Sequence, residues 1–311
     1  MHIIKGTTRF QLEQNTAVVI GKFDGMHIGH QALFEEIKKY KECGLATAVF
    51  TFDPPPEVLF GQRSLQELMT GEEKRHYFEE IGIDFLIEYP LNFETAAILP
   101  EEFIERILVN QMKMKHIAAG SDLSFGHKGL GNCELLEKFT ETFKYTVKII
   151  DKVSIGDTIV SSSLVRNKVD MGEMEQVTRL LGRPYEIMGI VQHGKKLGRT
   201  MGMPTANVLP ANNKLLPPNG VYYSRVKVGN KEYKGITNIG INPTVEEKIQ
   251  KSVETYLYDF DGDLYHQTIF IELLSFKRKE QKFHSLEELS VQIKRDMEEG
   301  RQKKFQLTNL M

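Results

Sequence analysis

The stretch Val18–Ile37, VVIGKFDGMHIGHQALFEEI, runs from an apolar segment through glycines and an aspartate to two histidines, and then into a helical pattern. An uninterrupted apolar run reads as a strand buried on both faces, as in a parallel sheet. Leu33, Ile37 and Tyr40 then recur at i, i+4 and i+7, which is one face of a helix. The turn between them, Gly21 to His27, therefore sits at the carboxyl end of a parallel strand, where α/β sheets bind ligands. Gly21, Gly25 and Gly29 allow close approach of backbone to a phosphate, and the new helix offers unpaired N–H groups. His27 and His30 add imidazole donors to the same oxyanions. In-line transfer at phosphorus needs its growing charge stabilised more than it needs a protein nucleophile, and paired histidines suit that need. An isolated H-x-x-H pair more often just caps a helix, so it is the strand, the glycines and the helix around it that point to nucleotide phosphate.

Outward from this stretch, TAVVIGKF, LATAVFTF, DFLIEY, HIAAG and YTVKII are strand candidates separated by helical segments, the pattern of βαβ units around a parallel sheet. Pro100, with Glu101 and Glu102 behind it, opens a helix on which Phe103, Ile107 and Met114 mark the apolar face. After about Arg183 the pattern changes to antiparallel β. GVYYSRVKVGNKEYKGI predicts a hairpin at Gly229-Asn230, and SVETYLYDFDGDLYHQTIFIELL predicts another at Asp261-Gly262. Ser285 with Glu288 three residues on starts a closing helix. SSSLVRNKVDMGEMEQVTRLLGRPYE reads as a helical connector between the halves.

The 311 residues exceed a comfortable single core and predict two domains. With 41% hydrophobic and 26% charged residues, and no apolar run long enough to span a bilayer, the chain reads as an ordinary globular protein with no membrane span. Its start, MHIIKGTTRF, has no signal-peptide pattern, so a cytoplasmic location is expected. Cys43 and Cys133 are too few for a disulfide framework and lack zinc-site spacing; both read as passive thiols. A net charge of −2 argues against a nucleic-acid footprint and favours small ligands.

The segment GKFDGMHIGH resembles the (H/T)-x-G-H signature of nucleotidyltransferases, and more closely the adenylyltransferase module of bacterial bifunctional riboflavin kinase/FAD synthetases. VFTFDPPPEVLF, AAGSDLSFGHKGLGN and IVSSSLVRNKV resemble the later motifs of that module, in family order. The resemblance implies ATP and phosphate binding by Gly21, Phe23, Asp24, Gly25, Gly29, Asp122, Phe125, Gly126, Ser161, Ser162 and Arg166, with His27 and His30 at the transferred phosphate. The chain departs from the family at Pro55, where a histidine is usual, at Leu123 and Ser124, and at Asn132, where aspartate is common.

In the second half, GIVQHGKKLGRTMGMPTANVLP carries Gly194, Gly198 and Gly202 with Lys195, Lys196 and Arg199, a basic loop able to cover ATP phosphates. Pro204 follows, and then Thr205 and Asn207 fall on one side of an extended strand, so both oxygens can reach one Mg²⁺. GRTMGMPTAN, NGVYYSRV, GITNIGINPTV, VETYLYDFDGDLY and FKRKEQKF together resemble riboflavin kinase along nearly the whole domain. That resemblance makes Glu254 the base for the flavin's ribityl hydroxyl, and places Arg278 and Phe283 near flavin or nucleotide. Tyr222, Tyr223, Tyr256 and Tyr258 are either core residues or flavin contacts.

The expected fold is an α/β Rossmann-like nucleotidyltransferase domain (residues 1–165), a helical connector (166–183), and a six-stranded antiparallel β-barrel with a C-terminal helix (184–311). The expected activity uses Mg²⁺ and ATP to convert riboflavin to FMN and FMN to FAD. Two alternatives stand beside it: a chain whose departures have weakened adenylyl transfer and left only the kinase, and a flavin-binding regulator without turnover. The sequence gives no oligomeric state.

Overall fold

The computed structural model describes residues 1–61, 66–193, 203–243 and 249–303, and the chain forms two compact units, Met1–Ser161 and Ser162–Met311. The first is built on a parallel six-stranded sheet in the order β1-β4-β3-β2-β5-β6. Its strands are β1 (His2–Lys5), β2 (Thr16–Ile20), β3 (Ala46–Asp53), β4 (Phe85–Pro90), β5 (Met114–Gly120) and β6 (Thr146–Ile150). All residues of β2 are buried, as a central strand covered on both faces requires. Val18 and Ile20 pack to one side with Phe103, Ile104, Ile107 and Leu108; Ala17 and Val19 pack to the other with Leu33, Phe34, Ile37 and Phe78. The sheet is thus the middle of three layers. From β2 the chain winds one way through β3 and β4, and across β2 on the other side lie β5 and β6, so the topological switch point falls between β2 and β5. A two-stranded ribbon, β7 (Ser154–Ile155) with β8 (Thr158–Ile159), ends the unit.

All five expected strands are present. β1 was not expected: its residues are mostly exposed, and only pairing with β4 makes HIIK an edge strand. The expected helix at Pro100 is α-helical over Pro100–Glu102 and continues over Phe103–Gln111 with π-helical hydrogen bonding. Met114 does not share its face, contrary to the sequence reading. Lys113, at φ 50°, turns the chain out of the helix, and Met114 begins β5.

The second unit contains a closed barrel in the order β10-β13-β12-β11-β14-β9, every pair antiparallel. Its strands are β9 (Tyr185–Gln192), β10 (Ala206–Val208), β11 (Gly220–Val228), β12 (Lys231–Pro243), β13 (Ile249–Leu257) and β14 (Thr268–Lys279). The Gly229-Asn230 turn joins β11 to β12 with Val228 opposite Lys231, as expected. The Asp261-Gly262 hairpin is not formed. β13 pairs with β10 and β12, whereas β14 crosses over to pair with β11 and β9. Barrel closure, which removes exposed edges, outweighs the local turn signal. The helices Ser162–Asp170 and Met174–Leu181 cover the expected connector, bury Val165, Val169, Val177 and Leu180, and belong to the second unit; the latter helix packs on β9 and β14.

The final helix, Leu286–Gln302, is capped by Ser285, whose hydroxyl accepts from Glu288 N at 3.2 Å. It is fastened to the barrel by polar ties. Arg278 pairs with the buried Asp296 at 2.7 Å, Tyr258 donates to the Met297 carbonyl at 2.6 Å, and Arg301 pairs with Asp259 at 2.9 Å.

Candidate active sites

The loop after β2 is shaped by backbone that ordinary residues avoid: Phe23, Gly25 and Met26 have φ of 48°, 83° and 51°. Such strain persists where surrounding packing enforces it, and it clusters at functional loops. Here the packing is visible. The Phe23 ring is buried and stands edge-on to His30, with centroids 5.3 Å apart, and against Phe34. A Cβ on Gly21 would come within 2.9 Å of that ring. Gly21 and Phe23, read from the sequence as phosphate contacts, therefore form the hydrophobic seat beneath the loop. Asp24 accepts from the backbone N–H groups of Leu68 and Met69 at 2.8 and 3.3 Å, which ties the loop to the chain ahead of the next helix.

His27 is the N-cap of the helix Ile28–Lys39, its Nδ1 accepting from His30 N at 3.4 Å. A Cβ on Gly29 would lie 3.2 Å from the His27 ring, so glycine makes room for the imidazole. The two rings stack with centroids 3.7 Å apart and planes 17° off parallel. Burial lowers the His27 pKa to about 4, and the Asp122 carboxylate offsets only part of this. His30 is held well below its ordinary value, first by burial and then by the charges of His27 and Lys74. Both rings are thus neutral near pH 7. With His27 Nδ1 serving as acceptor, its proton resides on Nε2, which can donate to a ligand oxygen. His30 Nδ1 is buried with no hydrogen-bond partner among the described residues.

Across the switch point, the loop after β5 carries Asp122, which is exposed and paired with Lys152 at 3.0 Å. Phe125 is buried and exchanges backbone hydrogen bonds with Gly131; Gly126, at φ 69°, lies so close to Pro100 that a Cβ would stand 2.8 Å from it. These two residues shape the loop. Ser161 closes the first unit, and Ser162 and Arg166 lie on the first helix of the second.

In the barrel unit, alternation along β13 turns Val253, Thr255 and Leu257 into the interior and Glu254 and Tyr256 to the outer face. Register then sets a row: Glu254 stands opposite Asn207 on β10 and opposite Asn238 on β12. Beneath that row, Thr237 Oγ1 donates to Ser224 Oγ at 2.7 Å and lies 2.8 Å from Thr255 Oγ1, a buried hydroxyl chain. A one-residue slip would put Glu254 inside the barrel and these hydroxyls outside.

The outer face, the segment 278–283 and the final helix enclose a cavity of about 620 Å³. Thr205, Asn238 and Glu254 supply oxygens and an amide to it; Val221, Ile236, Phe283, Leu289 and Ile293 make the rest largely apolar. Asn207 is buried, and its Oδ1 has no partner among the described residues. A neutral, orphaned oxygen two residues along the chain from Thr205 fits a hard cation such as Mg²⁺, which takes few protein oxygens and completes its shell with phosphate and water.

Arg278 also lines the cavity, but its guanidinium is committed to Asp296 and to the Lys279 carbonyl, so it works as a strut for the final helix. Among the tyrosines, only Tyr256 lines the cavity; Tyr222 is inside the barrel and donates to the Pro218 carbonyl, and Tyr223 packs with Val221 and Met297. Pro204 precedes β10, whereas Gly194, Lys195, Lys196, Gly198, Arg199 and Gly202 lie outside the described residues.

Residues 10–164 match the family model described as FAD synthetase, and residues 181–304 match that described as riboflavin kinase. Proteins named bifunctional riboflavin kinase/FMN adenylyltransferase match along almost their entire length. That of Listeria monocytogenes is 34% identical over 95% of this chain and 94% of its own, and that of Bacillus subtilis 35% identical over 96% and 94%. The chain belongs to this family. The Escherichia coli K12 member is 35% identical over 91% of both chains. A crystal structure titled as a macrolide-efflux protein from Streptococcus pneumoniae shares the architecture, with a TM-score of 0.84 and 28% identity over 97% of this chain and 99% of that one. No helix among the described residues here is long and apolar enough to cross a membrane.

Against the family pattern, one departure has a clear structural account. Asn132 caps the helix Cys133–Lys138, its Oδ1 accepting from Leu135 N at 3.0 Å, a role asparagine fills as well as aspartate. Leu123 packs partly against the core, and Ser124 is exposed. Pro55 is the residue before the short helix Pro56–Leu59 and brings no imidazole there. Sequence reading missed Asn238 and Asp296. The one signal for Asn238 was its phase, two residues after Ile236 on the outer face of β12; Asp296 had none, because its partner Arg278 lies on another element.

Proposed function

We propose that the chain makes FAD from riboflavin in two ATP-dependent steps, a phosphorylation in the barrel unit and an adenylylation in the parallel-sheet unit. The observation that carries the first is Glu254, a carboxylate on the wall of a cavity with a large apolar surface, one strand away from the orphaned oxygen of Asn207. The apolar walls take the isoalloxazine, with Phe283 against it and Arg278 holding the helix that forms one side. Glu254 accepts the proton of the ribityl primary hydroxyl as that oxygen attacks the γ-phosphorus of ATP; the bond to the bridging oxygen breaks and ADP leaves. Thr205 and Asn207 hold Mg²⁺, which when bound neutralises phosphate charge. Pro204 precedes β10, and in our assignment Gly194, Lys195, Gly198, Arg199 and Gly202 bind the ATP phosphates.

In the second step an FMN phosphate oxygen attacks the α-phosphorus of another ATP, and pyrophosphate leaves. His27 and His30, neutral and stacked, donate to the phosphate oxygens whose charge grows. Gly25 and Gly29 keep the loop close, Gly21, Phe23 and Asp24 hold its shape, and Asp122, Phe125 and Gly126 form the opposite wall. Ser161, at the end of this unit, completes the nucleotide contacts in this assignment. The substrates are small molecules, with no role for nucleic acid or membrane, and the setting is cytoplasmic. Incubation with riboflavin, ATP and Mg²⁺ followed by separation of the flavins tests both halves. FAD is expected; FMN alone refutes the adenylylation half, unchanged riboflavin refutes the kinase half, and FMN supplied in place of riboflavin then tests adenylylation by itself.

A further inference from the structure

The row across β10, β13 and β12 contains one group with no part in the chemistry above. Asn238 is half-buried, lines the cavity, and stands opposite Glu254 on the side away from Asn207. The row therefore has a direction. At one end Asn207 and Thr205 present oxygens suited to metal and phosphate, and in the middle is the carboxylate. Beyond it, Asn238 shares its strand face with the apolar Ile236, next to Val221 on β11. A flavin lying along this row with its primary hydroxyl at Glu254 runs its sugar chain past Asn238 before the ring reaches the apolar wall. Cross-strand neighbours are about 5 Å apart at Cα, which is the reach between groups binding hydroxyls one or two carbons apart on one chain.

Asn238 and Glu280 share the space above Gly240. A Cβ on Gly240 would come within 3.2 Å of Asn238 Nδ2 and 2.5 Å of Glu280 Oε1, so this glycine leaves room for both side chains above the strand. Glu280 in turn accepts from Asn219 Nδ2 at 3.2 Å. A carboxamide both donates and accepts, as a secondary hydroxyl does, and in an apolar cavity such a group discriminates strongly against a ligand that leaves it unpaired.

We propose that Asn238 is a specificity-determining residue of the kinase, binding one of the two secondary ribityl hydroxyls nearest the reacting oxygen. This rests on the kinase reading of the cavity. The test is steady-state phosphorylation of riboflavin and of its 2′-, 3′- and 4′-deoxy analogues by the wild-type chain, Asn238→Ala and Asn238→Ser, with melting temperatures measured alongside. With wild type, loss of the contacted hydroxyl lowers kcat/KM by about 10- to 100-fold, as for a hydrogen bond whose loss leaves a buried partner unsatisfied. Asn238→Ala is expected to lose as much with riboflavin and to lose nothing further with the 3′- or the 4′-deoxy analogue, while the 2′-deoxy effect stays additive. Additive losses with both the 3′- and 4′-deoxy analogues overturn the proposal, as does a variant as selective as wild type. Should the alanine variant fold poorly, the serine variant reads the same coupling. Failure of the underlying reading is separately visible, because a wild-type chain that forms no FMN refutes the kinase assignment itself.

Discussion

Replacing His27 by asparagine separates two things the imidazole does. Its Nδ1 caps a helix, and its Nε2 is the donor assigned to phosphate. Asparagine is among the best N-caps, so the His27→Asn variant retains an acceptor for the His30 N–H, yet the short amide does not extend to where Nε2 stands. His27→Ala loses both. Relative to the asparagine variant, the alanine variant should lose about 1 kcal/mol more stability, the usual worth of a cap. The catalytic loss should be common to both. Removing one preorganised donor from an oxyanion-type site costs about 2.7–4 kcal/mol, or roughly 10²–10³ in turnover. FMN-to-FAD conversion should therefore fall by that factor in each variant, while riboflavin-to-FMN conversion, carried out by the barrel unit, is unchanged. The two half-reactions are assayed separately, by chromatography of the flavins, on protein whose unfolding has been measured by denaturant titration. If the His27→Asn protein adenylylates FMN within about threefold of wild type, the histidine is a cap and the donor argument is wrong.

Glu254→Gln keeps the shape of the cavity wall and removes the proton acceptor. FMN formation is expected to fall by about 10² or more with riboflavin binding little changed, which fluorescence titration of the flavin can check. Asn207→Ala deletes the orphaned oxygen, so the Mg²⁺ concentration for half-maximal kinase activity should rise by about tenfold; an unchanged Mg²⁺ dependence removes Asn207 from the metal shell. Burial lowers His116 to about 4, its ring stacked on Tyr40 at 3.8 Å. The unfolded chain takes up that proton near pH 6.5 and the folded chain only near 4, so stability is lost as pH falls through this window. The loss for His116 is on the order of 3 kcal/mol, and His116→Gln should flatten a pH series of denaturation midpoints between about 6.5 and 4.

How much was legible in the sequence follows from how far apart the deciding residues lie. The apolar run of β2, the glycines after it, the helix that starts at His27 and the Ser285 cap of the last helix are all set by residues within a few positions of one another. Period and capping chemistry act at that range. The pairing of Thr205 with Asn207 was legible for the same reason, since alternation along a strand is local. What only tertiary structure decided involves partners far apart in the chain. Asp261-Gly262 carries a good turn sequence, but closing the barrel sends β14 to β11 and β9 instead. That Phe23 packs edge-on against His30 also came from the tertiary structure. The resemblance places Arg278 near the ligand without a role, and only the fold pairs it with Asp296 on the final helix. The row Asn207, Glu254, Asn238 comes from three strands, and its order follows from β-pairing register, which depends on side chains filling a closed interior rather than on any single strand's own pattern.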